Sequence, residues 1–206
     1  KLDSISSTII SDTYNLPQTT TDASAIENDV DVYETGIYKS DCVDYTGKGT
    51  AVAILDSGFD CSHTVFQHDI DVEMITKSYV ESILSNTRAA TDYYRGSSSL
   101  KVTDVYYNAK IPFAYDYADR DYDVFPYDSN HGTHVAGIIG GKDNEITGIA
   151  VDTQLVLMKV FPDLDDGGKT EDILAALEDA VLLGVDAINM SLGSSCGFAR
   201  EEDDDK

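Results

Sequence analysis

Among the four histidines of this 206-residue chain, His131 is the one placed to do chemistry. It stands in the run Asn130-His131-Gly132-Thr133-His134-Val135-Ala136-Gly137. This spacing predicts the first turns of a helix packed closely on a neighbour, with Ser129 or Asn130 capping its free N–H groups. Gly132, Ala136 and Gly137 are small enough to let another backbone approach. His131 then sits at the helix mouth, held in place and reachable by solvent. Imidazole is the side chain whose proton moves most easily near neutral pH, so this placement suits a general base. Asp56 is its complement. It ends the apolar run Thr50-Ala51-Val52-Ala53-Ile54-Leu55 and is followed by Ser57-Gly58, so a carboxylate stands where a buried strand gives way to a loop. In parallel sheets, ligands bind at that carboxyl end. Taken singly, each residue has an ordinary reading, a buried structural histidine or a strand-end cap.

The elements that must position them alternate. Gly47-Lys48-Gly49 punctuates the chain before the run ending at Asp56, which reads as a strand buried on both faces. A second buried strand is expected over 155–161 and a third over 185–192. Between them, a helix opens at Thr170 as its cap, with Glu171 and Asp172 at its positive end. Ile173, Leu174, Leu177 and Val181 are expected to form its apolar face, and Gly184 to close it. Strand and helix in alternation argue for an α/β fold with a mostly parallel central sheet. Further helices are expected over 78–90 and 23–38, and short strands over 101–107 and 111–115. Residues 1–48 read as a polar arm laid over the domain formed by residues 49–206.

Composition narrows the function. Hydrophobic residues make up 42% of the chain, enough for a sizeable core. With 14 basic against 38 acidic residues, the formal net charge is −24, which argues against nucleic acid and anionic membranes as partners. No apolar run approaches a membrane span. The acidic run containing Asp116, Asp119, Asp121, Asp123 and Asp128 offers either oxygen ligands for calcium or a solvated loop. Cys42, Cys61 and Cys196 have no metal-ligand spacing; Cys42 and Cys61 could pair in an oxidising compartment.

Three pieces in order, Ala51-Val52-Ala53-Ile54-Leu55-Asp56-Ser57-Gly58, the His131 run, and Ile188-Asn189-Met190-Ser191-Leu192-Gly193-Ser194, resemble the subtilisin-like serine proteases. The resemblance covers roughly residues 45–198. Lys110-Ile111-Pro112-Phe113-Ala114-Tyr115-Asp116-Tyr117 is most similar to cell-envelope proteinases of the lactocepin type. The resemblance implies a three-layer α/β subtilisin fold, a peptidase that needs no cofactor for catalysis, and secretion or cell-envelope attachment. It implies that Asp56 orients His131, that His131 takes the nucleophile's proton, and that His134 is structural. It also implies that Ser191, Leu192 and Gly193 pair through their backbone with an extended peptide, opposite a second flanking strand starting near Gly167-Gly168. Close approach of that peptide is expected to need the glycine at 193.

The family's serine lies in a Gly-Thr-Ser-Met-Ala segment, and neither that segment nor the oxyanion-hole asparagine expected before it occurs in these 206 residues. The expectation is therefore an N-terminal portion of a catalytic domain, its sheet incomplete, whose nucleophile comes from a missing or separate segment. The ending Glu201-Glu202-Asp203-Asp204-Asp205-Lys206 suggests a proteolytic cut after Lys206 with both pieces associated, or simply a shortened chain. The alternative from another class is a non-catalytic peptide-binding or scaffold protein of the same fold. The segment 142–147 is shorter than the calcium-holding loop of the best-known subtilisins, so the resemblance implies no strong calcium site there.

Overall fold

The structure, a computed structural model, describes residues 13–16, 45–93, 99–164 and 167–193. Its centre is a four-stranded, all-parallel sheet in the order β3-β4-β2-β6. The strands are β2 (Ala51–Asp56), β3 (Phe113–Asp116), β4 (Gln154–Lys159) and β6 (Ala187–Met190). Each of the three longer runs expected from the sequence contains a strand: β2 runs through Asp56, β4 begins one residue before the expected 155 and ends two before 161, and β6 is trimmed at both ends. β2 and β4 have neighbours on both sides, and their near-continuous apolar sequences are buried on both faces. Each fully buried leucine or isoleucine there contributes about 1.5–3 kcal/mol of transfer free energy.

Side-chain alternation divides the core between the two faces. Ala53, Leu55, Phe113, Tyr115, Val156 and Met158 pack with Ile173, Ala176 and Ala180 of α5 (Thr170–Leu183). Ile54, Ala114, Leu155 and Leu157 pack with Ala136 of α4 (His131–Gly140). The result is the three-layer α/β arrangement that the alternating elements imply.

α5 keeps Ile173 and Leu177 of its expected face against the core and loses the other two. Leu174 and Val181 are exposed, and the buried stripe is Ile173, Ala176, Ala180 and Leu183 together with Asp172 and Asp179. The alanines bring the helix axis close to the sheet, which rotates the bulkier residues outward. Thr170 is the first helical residue rather than the cap, a place taken by Lys169 without a side-chain bond. Gly184 closes the helix as expected, at φ 76°, where its missing Cβ removes the steric penalty. Buried Asp179 accepts from Arg88 N (2.6 Å), Ala89 N (2.9 Å) and Tyr117 Oη (2.8 Å), tying α2 (Arg88–Thr91) to α5.

The helix expected over 78–90 is broken into α1 (Lys77–Ile83), a 3-10 turn (Leu84–Asn86) and α2. Thr87 interrupts it because its Oγ1 accepts from Ala90 N at 3.1 Å and starts a new helix. Residues 101–107 are not a strand. They contain the helical turn α3 (Val102–Val105), set by Asp104, whose carboxylate accepts from Lys101 N at 2.9 Å. Valine, threonine and tyrosine, residue types enriched in strands, imitate one there. Cys61 is a buried free thiol, pushed up to about 12 by burial. Cys42, Cys196 and the helix expected over 23–38 lie outside the described residues.

Candidate active site

β2 ends at Asp56, with no solvent exposure, and α4 begins at His131, whose side chain is 21% exposed. What brings them together is glycine. A Cβ at Gly132 would lie 2.5 Å from Gly58 O and 3.0 Å from the Asp56 Cβ, so only glycine lets the helix mouth rest on the strand end. The free N–H groups of that mouth are met from two directions. His131 N donates to Ser129 Oγ (3.3 Å) and Gly132 N to Ser57 Oγ (3.3 Å), while Asn130 caps with no side-chain bond. Of the two caps expected, Ser129 is the one used. Gly137 was expected to allow close approach, yet its Cβ direction is open. Gly140 is the tight position, where a Cβ would meet Lys110 Nζ at 2.9 Å.

His131 Nδ1 lies 2.8 Å from Asp56 Oδ1 and 3.0 Å from Oδ2. A carboxylate only accepts, so Nδ1 carries the proton in this pair, and in the neutral ring Nε2 keeps the basic lone pair. Ser57 N also donates to Asp56 Oδ1, at 2.7 Å. The carboxylate is thereby fixed on two sides, and it can orient the ring and stabilise its charged form. His134, three residues on in the same helix, is exposed and makes no bond to the Asp56–His131 pair.

Ser191, Leu192 and Gly193 follow β6. Ser191 Oγ donates to Asn189 Oδ1 at 3.0 Å, and Leu192 packs against the α5-side core. Gly193 is exposed and exchanges two backbone bonds with Asn15: Asn15 N donates to Gly193 O (2.6 Å) and Gly193 N to Asn15 O (2.9 Å). Just before Asn15, β1 (Thr13–Tyr14) pairs antiparallel with β5 (Gly168–Lys169). Residues 13–15 thus form a strand laid between β5 and Gly193. Next to it, a cavity of about 430 Å³ is lined by Leu16, Ser57, Ser129, Phe161, Pro162 and Asp163 among others. The glycine this approach requires is Gly167 (φ 109°), where a Cβ would stand 2.4 Å from Thr13 Cγ2. At Gly193 a Cβ would meet no other atom of this chain within 4 Å.

The acidic run is not fully solvated. Asp116 is buried and pairs with Lys159, which is 1% exposed at the end of β4. Asp116, Asp119 and Asp163 bring carboxylate oxygens within 4.8 Å of one another, but the Lys159 ammonium already stands among them, so a metal ion does not fit as the group stands. Asp121 and Asp123 accept from Asp123 N (2.7 Å) and Phe125 N (3.2 Å), which makes them turn formers. Lys159 and Asn15 are the two residues of the site that sequence reading missed. A lone lysine inside an apolar strand was the available signal for the first; nothing local marks the second.

Comparison with known proteins follows this geometry. The chain is 35% identical over 170 residues to a PI-type proteinase of Lactococcus lactis subsp. cremoris, an alignment covering 77% of this chain and 8% of that protein. It is 33% identical over 170 residues to a PII-type proteinase of Lacticaseibacillus paracasei, again 77% against 8%. These are the lactocepin-type relatives expected from the sequence, and the chain spans under a tenth of their length. A crystal structure of fervidolysin from Fervidobacterium pennivorans, a keratinolytic enzyme related to subtilisin, aligns with TM-score 0.45 and 21% identity over 73% of this chain and 18% of that one. The Peptidase_S8 model, described as the subtilase family, matches residues 47–206, and the chain belongs to that family.

Proposed function

We propose that this protein is a subtilisin-type serine endopeptidase, to which the chain contributes the acid, the base and the peptide-binding strand. The observation that carries the reading is the bond from His131 Nδ1 to fully buried Asp56, at 2.8 Å. Asp56 holds the ring in the tautomer that leaves Nε2 basic. His131 takes the proton of a serine hydroxyl as its oxygen attacks the peptide carbonyl, then returns it to the leaving amine. That serine is supplied by polypeptide other than these 206 residues, which lack the family's Gly-Thr-Ser-Met-Ala segment. The reaction needs no cofactor.

The substrates are extended protein segments, received by strand addition along Ser191, Leu192 and Gly193. Support comes from the chain's own residues 13–15, which take a strand's place against Gly193 and β5. The family relationship supports secretion or cell-envelope attachment. No helix among the described residues is long and apolar enough to cross a membrane.

The test is intact mass under denaturing conditions after treating the native protein with a fluorophosphonate, which labels an activated serine. One adduct on a polypeptide associated or continuous with this chain, lost in His131→Ala, is the expected result. A native protein that binds extended peptides yet takes up no label would overturn the enzyme in favour of a peptide-binding protein of the same fold.

A further inference from the structure

Lys159 closes β4 in register between Asp56 of β2 and Asp116 of β3. Side chains in register across a parallel sheet share a face, so this lysine stands on the α4 face beside the acid of the Asp–His pair. Its ammonium bonds Asp116, donates to Asp119 Oδ2 at 3.3 Å, and pairs with Asp163 Oδ1 at 2.9 Å. Burial by itself would lower the Lys159 ammonium, yet Asp116 and Asp163 raise it above the ordinary lysine value, so it stays charged. The three carboxylates belong to two separate turns. Asp116 and Asp119 lie at and just after the end of β3, while Asp163 lies in the turn that follows β4. The two turns are tied a second time, because Asp163 N donates to Asp119 Oδ2 at 2.9 Å.

The turn after β4 also carries Phe161 and Pro162, which with Asp163 line the cavity beside Leu16. Methionine would fill nearly the same space as Lys159 without desolvating an ion. A buried charge contributes little net stability even when paired. What the ammonium adds is a joint between two turns, one of which is a cleft wall.

We propose that Lys159 is a positioning residue for peptide binding: its ammonium clamps the turn 161–163 to the turn 116–119, and so fixes the wall met by the peptide residue in Leu16's place. The role in turnover rests on the peptidase reading above, whereas the clamp can be measured without it.

Two variants test it in the protein by hydrogen exchange read by mass spectrometry, alongside peptide hydrolysis. Asp163→Ala opens one arm of the clamp and leaves Lys159 paired with Asp116, so the fold is kept. Amide exchange over 161–164 should rise roughly tenfold while β2 and β4 stay protected. KM for a peptide carrying Tyr-Asn-Leu should rise about tenfold, with kcat changed by less than about twofold. Lys159→Met leaves three converging carboxyl groups without a countercharge, and buried Asp116, raised to about 7 even beside the lysine, gives up its proton when calcium binds. Calcium, which takes six to eight oxygens at about 2.3–2.6 Å, should then restore the lost protection, a dependence the parent does not have at this turn. A lysine that merely fills space would confer no such dependence.

Unchanged exchange over 161–164 in Asp163→Ala overturns the clamp, as does a folded Lys159→Met with a protected turn and no response to calcium. If exchange rises in Asp163→Ala but the parent hydrolyses nothing, the clamp stands and the peptidase reading fails.

Discussion

β2 and β6 run side by side in parallel, and both are apolar, Ala51-Val52-Ala53-Ile54-Leu55-Asp56 against Ala187-Ile188-Asn189-Met190. Their environments are opposite. Ile54 and Leu55 are fully buried between α4, α5 and β4, whereas Ile188 is 38% and Met190 46% exposed. β2 has strands on both sides, and β6 is paired only to β2 among the described residues. On the proposed reading the two strands serve two kinds of work in one cleft. The acid and base need a geometry that does not drift, and β2 supplies it by packing on both faces and against a strand on each side. Peptide pairing needs backbone within reach, and the part-exposed to exposed residues 191–193 that follow β6 offer it.

The largest expected effect lies on the rigid side. His131→Ala should lower peptide hydrolysis on the order of 10⁶-fold with little change in KM, as steady-state kinetics of the active protein would show. An unchanged rate would separate the Asp–His pair from the reaction. Next in size is the packing contrast itself. Ile54→Ala should cost about 2–5 kcal/mol, and Ile188→Ala less than about 1 kcal/mol, measured by urea unfolding. Equal costs would mean that the β6 edge is covered in the protein.

The edge side is tested more gently by Gly167→Ala. The new methyl meets Thr13, and φ 109° strains any residue with a Cβ, so residues 13–16 should leave the cleft. Exchange at Asn15 and Gly193 should speed up roughly tenfold with the sheet unaffected. The smallest effect expected is a pH dependence on α5. Burial, with Glu171 beside it, raises Asp172 to about 6. An acid raised on folding favours the folded state while protonated, so its contribution is present below about pH 4 and lost as pH rises through about 6. Asp172→Asn should match the parent near pH 4 and exceed it by roughly 1–2 kcal/mol at pH 7–8, read from thermal melts across pH.

Much of the frame was legible because hydrophobic runs report burial directly. The run ending at Asp56, the strand after 153 and the helix closed by Gly184 all stand where pattern and turn residues put them. Errors arose where a local pattern had two readings. Lys101 to Tyr107 is rich in strand-forming residue types, but Asp104 bonds back to Lys101 N and makes a helical turn. Leu174 and Val181 carry the bulk of α5, yet the alanines decide which face meets the sheet. The acidic run looked solvated because nothing beside Asp116 in sequence reveals Lys159, 43 residues away.

By itself the sequence determined the parallel α/β frame, the family, and Asp56 and His131 as acid and base candidates, because strand-end and helix-mouth positions follow from local periodicity. Only the tertiary structure decided that Asp56 is wholly buried against His131 Nδ1, that Lys159 joins two turns, and that residues 13–15 lie between β5 and Gly193. Those facts depend on which segments meet in space, and contacts between residues tens to more than a hundred positions apart leave no periodic trace along the chain.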